Sequence, residues 1–85
     1  MSLNTLCKAL GNAERVRLVV CLSRKSTVSE LLIKCHMSQS ALSQHLAILR
    51  NAKIVVARRK GKYVQYKTSS RAYIHLAKSI INLTQ

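Results

Sequence analysis

Apolar residues open the chain at Leu3, Leu6, Cys7 and Leu10, the i, i+3, i+4, i+7 spacing that lines one face of an α-helix. Gly11 ends that helix and Asn12 offers a side-chain oxygen to cap the next. From Ala13 to about Lys25 the residues Val16, Leu18, Val19, Val20, Cys21 and Leu22 cover most of the circumference. Such a helix is predicted to be central and largely buried. Ser26 or Thr27 is placed to cap a third helix, the run to Glu30 loosely resembling a capping signal. Val28, Leu31, Leu32 and Cys35 then repeat the helical spacing.

His36 and Met37 interrupt, and Ser38 offers another N-cap, so two helices are joined by a turn of about three residues, the spacing of a helix-turn-helix. In the following helix Leu42, Leu46 and Leu49 form the inward stripe, with Ile48 at its edge. Ser40, Ser43, Gln44 and Ala47 take the opposite face, polar but uncharged and short. Gln and Ser hydrogen-bond base edges or phosphates without a long stem holding the helix out of a groove; a merely solvated face more usually carries Glu and Lys. After Asn51 the period changes. Ile54 to Ala57 reads as a strand, Arg58 to Lys62 as a basic turn, and Tyr63 to Lys67 as a second strand with Val64 and Tyr66 facing the helices. From about Ser70 the pattern is helical again, with Tyr73, Leu76, Ala77 and Ile80 in one stripe that Ile74, Ile81 and Leu83 broaden. That face is wider than one small domain needs, and with the first helix it is predicted to bury against a second subunit. The expected fold is mainly α with a small β-hairpin: about five helices and a two-stranded wing in one domain over residues 1–85.

Charge sharpens the functional reading. The 85 residues hold 15 Lys and Arg against 2 Asp and Glu, a formal net charge of +13. At 48% hydrophobic the chain still has the means to bury a core, unlike a charged disordered tail. A charge this large repels itself and makes sense beside a polyanion, nucleic acid first and an anionic membrane surface second. No apolar run approaches the roughly 20 residues of a membrane helix, and no signal peptide is readable, so the expected location is cytoplasmic. With Glu14 and Glu30 on different helices, paired-carboxylate catalysis is not expected, and the chain is not read as an enzyme. Cys7, Cys21 and Cys35 form no C-x-x-C motif and are expected to be reduced thiols.

The segments Leu6 to Leu18, Val28 to Leu31, Met37 to Arg50 and Arg58 to Tyr66 together resemble the ArsR/SmtB family of winged-helix repressors. Ser38-Gln-Ser-Ala-Leu-Ser-Gln-His-Leu46 is the most specific part. The resemblance implies a homodimer joined through its first and last helices, with two recognition helices and two wings meeting a pseudo-palindromic site in duplex DNA. It places Gln39, Ser40, Ser43 and Gln44 in the major groove with His45 at the edge of that surface, and Arg58, Arg59, Lys60 and Lys62 on phosphates or in the minor groove. The departures matter as well. Where metal-sensing members carry Cys-Val-Cys this chain has Thr27, Val28 and Ser29, and the last helix offers only His75 with Arg71 and Lys78 nearby, so neither a metal nor a cofactor is expected. Two positions where the family often has glycine are His36 and Lys53; a left-handed backbone there costs a non-glycine residue about 1–2 kcal/mol.

Several residues carry two readings. Each cysteine sits where it packs as a small hydrophobe; the sharper alternative is a thiol switch through Cys7 and Cys21, with Lys8 beside Cys7. His45 either contacts DNA or packs at the helix edge. Lys8, Arg15, Arg17, Arg24 and Lys25 form an auxiliary phosphate surface or simply solvate a face, and Tyr66 is read as core rather than as a base-stacking group. Beside a sequence-specific regulator, most simply a repressor, two other classes stay open: a basic protein that coats nucleic acid without regard to sequence, and a partner-dependent interaction module built on the last helix.

Overall fold

The computed structural model describes residues 1–85. Five helices, α1 (Leu3–Leu10), α2 (Ala13–Cys21), α3 (Val28–Cys35), α4 (Gln39–Asn51) and α5 (Arg71–Asn82), surround a sheet of β1 (Ser26–Thr27), β2 (Val55–Lys60) and β3 (Tyr63–Thr68). Each helix opens on a side-chain oxygen that accepts a first-turn N–H: Ser2, Asn12, Thr27, Ser38 and Ser70. The third opening is a full capping box. Glu30 N–H donates to Thr27 Oγ1 at 3.2 Å and Thr27 N–H to Glu30 Oε1 at 2.9 Å; the Thr27 N–H, and after it the Thr27 hydroxyl, hold the Glu30 carboxyl below its ordinary range. The cap is therefore Thr27 with Glu30, and α2 stops at Cys21, short of the expected Lys25.

The core takes the inward stripes the periodicity predicts. Val16, Leu18, Val19 and Leu22 from α2 and its end, Leu31 from α3, Leu42, Leu46 and Leu49 from α4, and Ile54 and Val55 are all buried, each large apolar side chain stabilising by about 1.5–3 kcal/mol. The outer helices contribute little: only Ala9 of α1 and Ala77 of α5 are fully buried, while Leu3 stays 75% and Leu76 39% exposed. The hydrogen-bonded strand order is β1-β3-β2, antiparallel throughout. β1 is an addition to the two-stranded hairpin expected; two residues are too few to show an alternating pattern. By pairing Ser26 with Tyr66 and Thr27 with Gln65, it fastens the start of α3 to the wing.

Two helices end on residues in the left-handed region. His36 has φ 50 after α3 and Lys53 φ 63 after α4, the two positions where glycine was the family's expected residue. At the end of α4, Ile54 N–H reaches the Leu49 carbonyl at 3.0 Å and Lys53 N–H the Arg50 carbonyl at 2.9 Å. This bond pair is a Schellman motif with Lys53 at its left-handed position, and buried Leu49 and Ile54 supply its apolar contact.

Candidate nucleic-acid interface

The inward leucines of α4 decide what its other side presents. With Leu42, Leu46 and Leu49 anchored, Gln39, Ser40, Ser43, Gln44 and Ala47 are all exposed, and none of the four polar side chains is committed to a hydrogen bond within the chain. A helix entering a groove needs donors and acceptors left free in this way. His45 differs from its neighbours. Its side chain is 15% exposed, with Nε2 3.1 Å from Glu14 Oε2 and Nδ1 3.3 Å from Arg15 Nη1. Of the two roles open to it, the structure supplies the partners of the packed one.

The wing is built differently from the expected basic turn. β2 continues through Arg58, Arg59 and Lys60, and only Gly61 and Lys62 form the loop. Gly61, with φ +58, stands at the first loop position, where a two-residue II′ turn calls for glycine. Because these cations lie on a strand, alternation divides them. The pairs Arg58↔Gln65 and Lys60↔Tyr63 share one face with Val56↔Lys67, whereas Arg59↔Val64 belongs to the face that holds Val55 and Tyr66. All four of Arg58, Arg59, Lys60 and Lys62 are exposed.

Basic character extends past the wing, joining Arg58 and the auxiliary cation Lys25 to Lys67, which the sequence reading did not select for DNA contact. Lys25, Arg58, Gln65 and Lys67 line a cavity of about 270 Å³. It adjoins another of about 490 Å³ lined by Lys67, Arg71, His75 and Lys78 with serine and threonine hydroxyls. Neither contains a carboxylate. Period-two alternation pointed Lys67 outward, but only the fold could bring α5 beside it. Arg15, in contrast, leaves the auxiliary phosphate set, since its guanidinium is bonded inside the chain.

The thiols are also redistributed. Cys7 is exposed on α1. The thiol that lies against Cys21 is that of Cys35, because α2 and α3 end on these two residues; both line a cavity of about 240 Å³ with Leu18 and Met37. Burial first, then the adjacent Cys21, pushes the Cys35 thiol up to about 11. The structure thus sets beside Cys21 a thiol outside the Cys7 and Cys21 pair read from the sequence.

A helix-turn-helix whose second helix presents a free polar face, flanked by a cationic β-wing, defines a winged-helix DNA-binding protein. Residues 12–56 match the family described as bacterial regulatory protein, arsR family, and the chain belongs to that family of DNA-binding transcriptional regulators. It is 41% identical over 66 residues to the transcriptional activator HlyU of Vibrio cholerae, covering 76% of this chain and 61% of that protein. To the arsenical resistance operon repressor of Escherichia coli it is 34% identical over 77 residues, 88% of this chain and 66% of that one. The chain thus spans less than two thirds of the length of these curated relatives. Among solved structures, HlyU of Vibrio vulnificus superposes with a TM-score of 0.80 at 36% identity, covering 94% of this chain and 84% of that one. The repressor BigR of Xylella fastidiosa gives 0.83 at 30%, covering 94% and 83%. These are regulators, not enzymes, and no helix here is long and apolar enough to cross a membrane.

Proposed function

We propose that the chain is a homodimeric repressor that reads a pseudo-palindromic duplex site with Gln39, Ser40, Ser43 and Gln44 and grips the backbone with Arg58, Arg59, Lys60 and Lys62. The observation that carries this reading is the free, uncharged face of α4 set directly over a buried leucine stripe. Association through α1 and α5 is supported by the apolar side chains left uncovered on these helices and at the cap of α5, Leu3, Leu76 and Leu83. A dimer seated on its site blocks that DNA to other proteins, which makes repression the simplest outcome; the relatives include proteins named as activator and as repressor.

The test is binding to candidate palindromes and to random duplex at about 150 mM salt. Gln44→Ala should lower discrimination between the two, while Lys60→Ala should weaken both alike and reduce the salt slope by about one phosphate's share, roughly 0.9. Equal losses on both duplexes for both variants would refute the division between reading and gripping. A thiol-controlled form of this activity has one supporting observation, the contact between Cys21 and Cys35. It requires that mild peroxide abolish the preference for the palindrome in the parent chain and leave it intact in Cys35→Ser.

A further inference from the structure

The guanidinium of Arg15 touches two other helices at once. Nε donates to the Ala9 carbonyl at 2.7 Å, Nη2 to the Lys8 carbonyl at 3.1 Å, and Nη1 to His45 Nδ1 at 3.3 Å. The first two acceptors belong to the last turn of α1, at the negative end of its dipole; the Lys8 carbonyl also accepts the cap N–H of Gly11, at a long 3.4 Å. The third belongs to α4. A guanidinium only donates, so Nδ1 of His45 accepts and its Nε2–H is left to donate to Glu14 Oε2 at 3.1 Å. Glu14 and Arg15 themselves stand in the first turn of α2, where Asn12 Oδ1 accepts both backbone N–H groups, at 2.9 and 3.1 Å. One capped helical turn therefore holds the end of α1 on one side and the imidazole of α4 on the other.

We propose that Arg15 and His45 are positioning residues that fix the rotation of α4 against α1, so that sequence discrimination depends on two side chains that do not touch DNA. The proposal rests on the reading above that α4 enters the groove. The leucine stripe fixes which face of α4 turns outward, but apolar burial is non-directional and sets the angle about the helix axis less finely than a hydrogen bond does. Hydrogen bonds are directional, and His45 follows Gln44 in the chain. With side chains reaching about 5–6 Å from the axis, a rotation of roughly 20° displaces the Gln44 amide by about 2 Å, more than a hydrogen bond tolerates. Since α1 also carries part of the uncovered apolar surface, the same tie relates the position of the partner subunit to the angle of each reading helix.

A double-mutant cycle tests this. Arg15→Lys keeps the charge but not the fork that spans Ala9, Lys8 and His45; His45→Ala removes the ring; His45→Gln keeps a donor for Glu14 and an acceptor for Arg15. Affinities for the preferred palindrome and for random duplex are measured for each variant and for the Arg15→Lys, His45→Ala double. Each of the two single losses should lower the ratio of the two affinities about tenfold, or 1.4 kcal/mol, with the double no worse than one single, the salt slope unchanged, and His45→Gln close to the parent. Additive losses would overturn the tie in favour of independent DNA contacts. Circular dichroism melts identify a variant that does not fold, in which case His45→Gln against Arg15→Lys decides alone: equal discrimination in the two overturns the proposal. Gln44→Ala in the same series separates the levels, because unchanged discrimination there removes the groove assignment itself.

Discussion

Replacing the two left-handed residues by glycine should stabilise the chain. His36 and Lys53 hold φ 50 and 63, a region where Cβ crowds the following carbonyl at a cost of about 1–2 kcal/mol. No hydrogen bond is lost in return: neither side chain makes one, and the bonds made by Lys53, its N–H to Arg50 and its carbonyl from Ser69 Oγ at 2.8 Å, are backbone bonds that glycine keeps. Glycine does widen the unfolded ensemble, which returns roughly 0.5–1 kcal/mol. The net gain is about 0.5–1 kcal/mol per site and about 1–2 kcal/mol for the double variant. For a domain of this size each kcal/mol raises the melting temperature by about 4–8 °C. Thermal and urea unfolding of His36→Gly, Lys53→Gly and the double would read this as a higher midpoint at constant urea dependence. Lys53→Ala is the necessary control, since it removes one charge from a chain of +13 while keeping the strained backbone. If alanine stabilises as much as glycine, the gain is relief of charge repulsion and the conformational argument is wrong.

Three further outcomes follow from the thiols and the outer helices. At neutral pH an alkylating reagent should modify exposed Cys7 first and Cys35 last. Since the folded chain keeps the Cys35 proton up to about 11 against an ordinary 9.0, the unfolded chain releases it first; stability should fall as pH rises between those values, and Cys35→Ala should flatten that decline. A shallow curve unchanged by Cys35→Ala would remove this account. Leu76→Glu, placing a charge on the uncovered face of α5, should convert two-chain particles to single chains in sedimentation while leaving helix content intact; retention of the two-chain form would direct the interface elsewhere.

Helix positions and the side each helix buries were legible because leucine and valine spacing records a 3.6-residue period directly. The left-handed residues were legible as well, through the glycines absent from His36 and Lys53. What escaped the sequence depends on contacts between distant segments. β1 is two residues long and exists only because β3 arrives beside it. The division of Arg58, Arg59 and Lys60 between two faces required knowing that β2 extends through them rather than stopping at Ala57. Arg15 reads as one more surface cation until α1, α2 and α4 are assembled around it, and the meeting of Cys21 with Cys35 requires the ends of α2 and α3 to converge.

On α4 the residues that hold the fold and the residues assigned to DNA are different residues. Leu42, Leu46 and Leu49 are buried, while Gln39, Ser40, Ser43, Gln44 and Ala47 bear no weight in the core, so exchanges among the latter should move stability by no more than about 0.5 kcal/mol. A lineage carrying this scaffold is thus able to acquire a new target sequence through single changes that leave the protein folded at every step, and descendants with duplicated copies can diverge in the DNA they occupy before anything else about them changes.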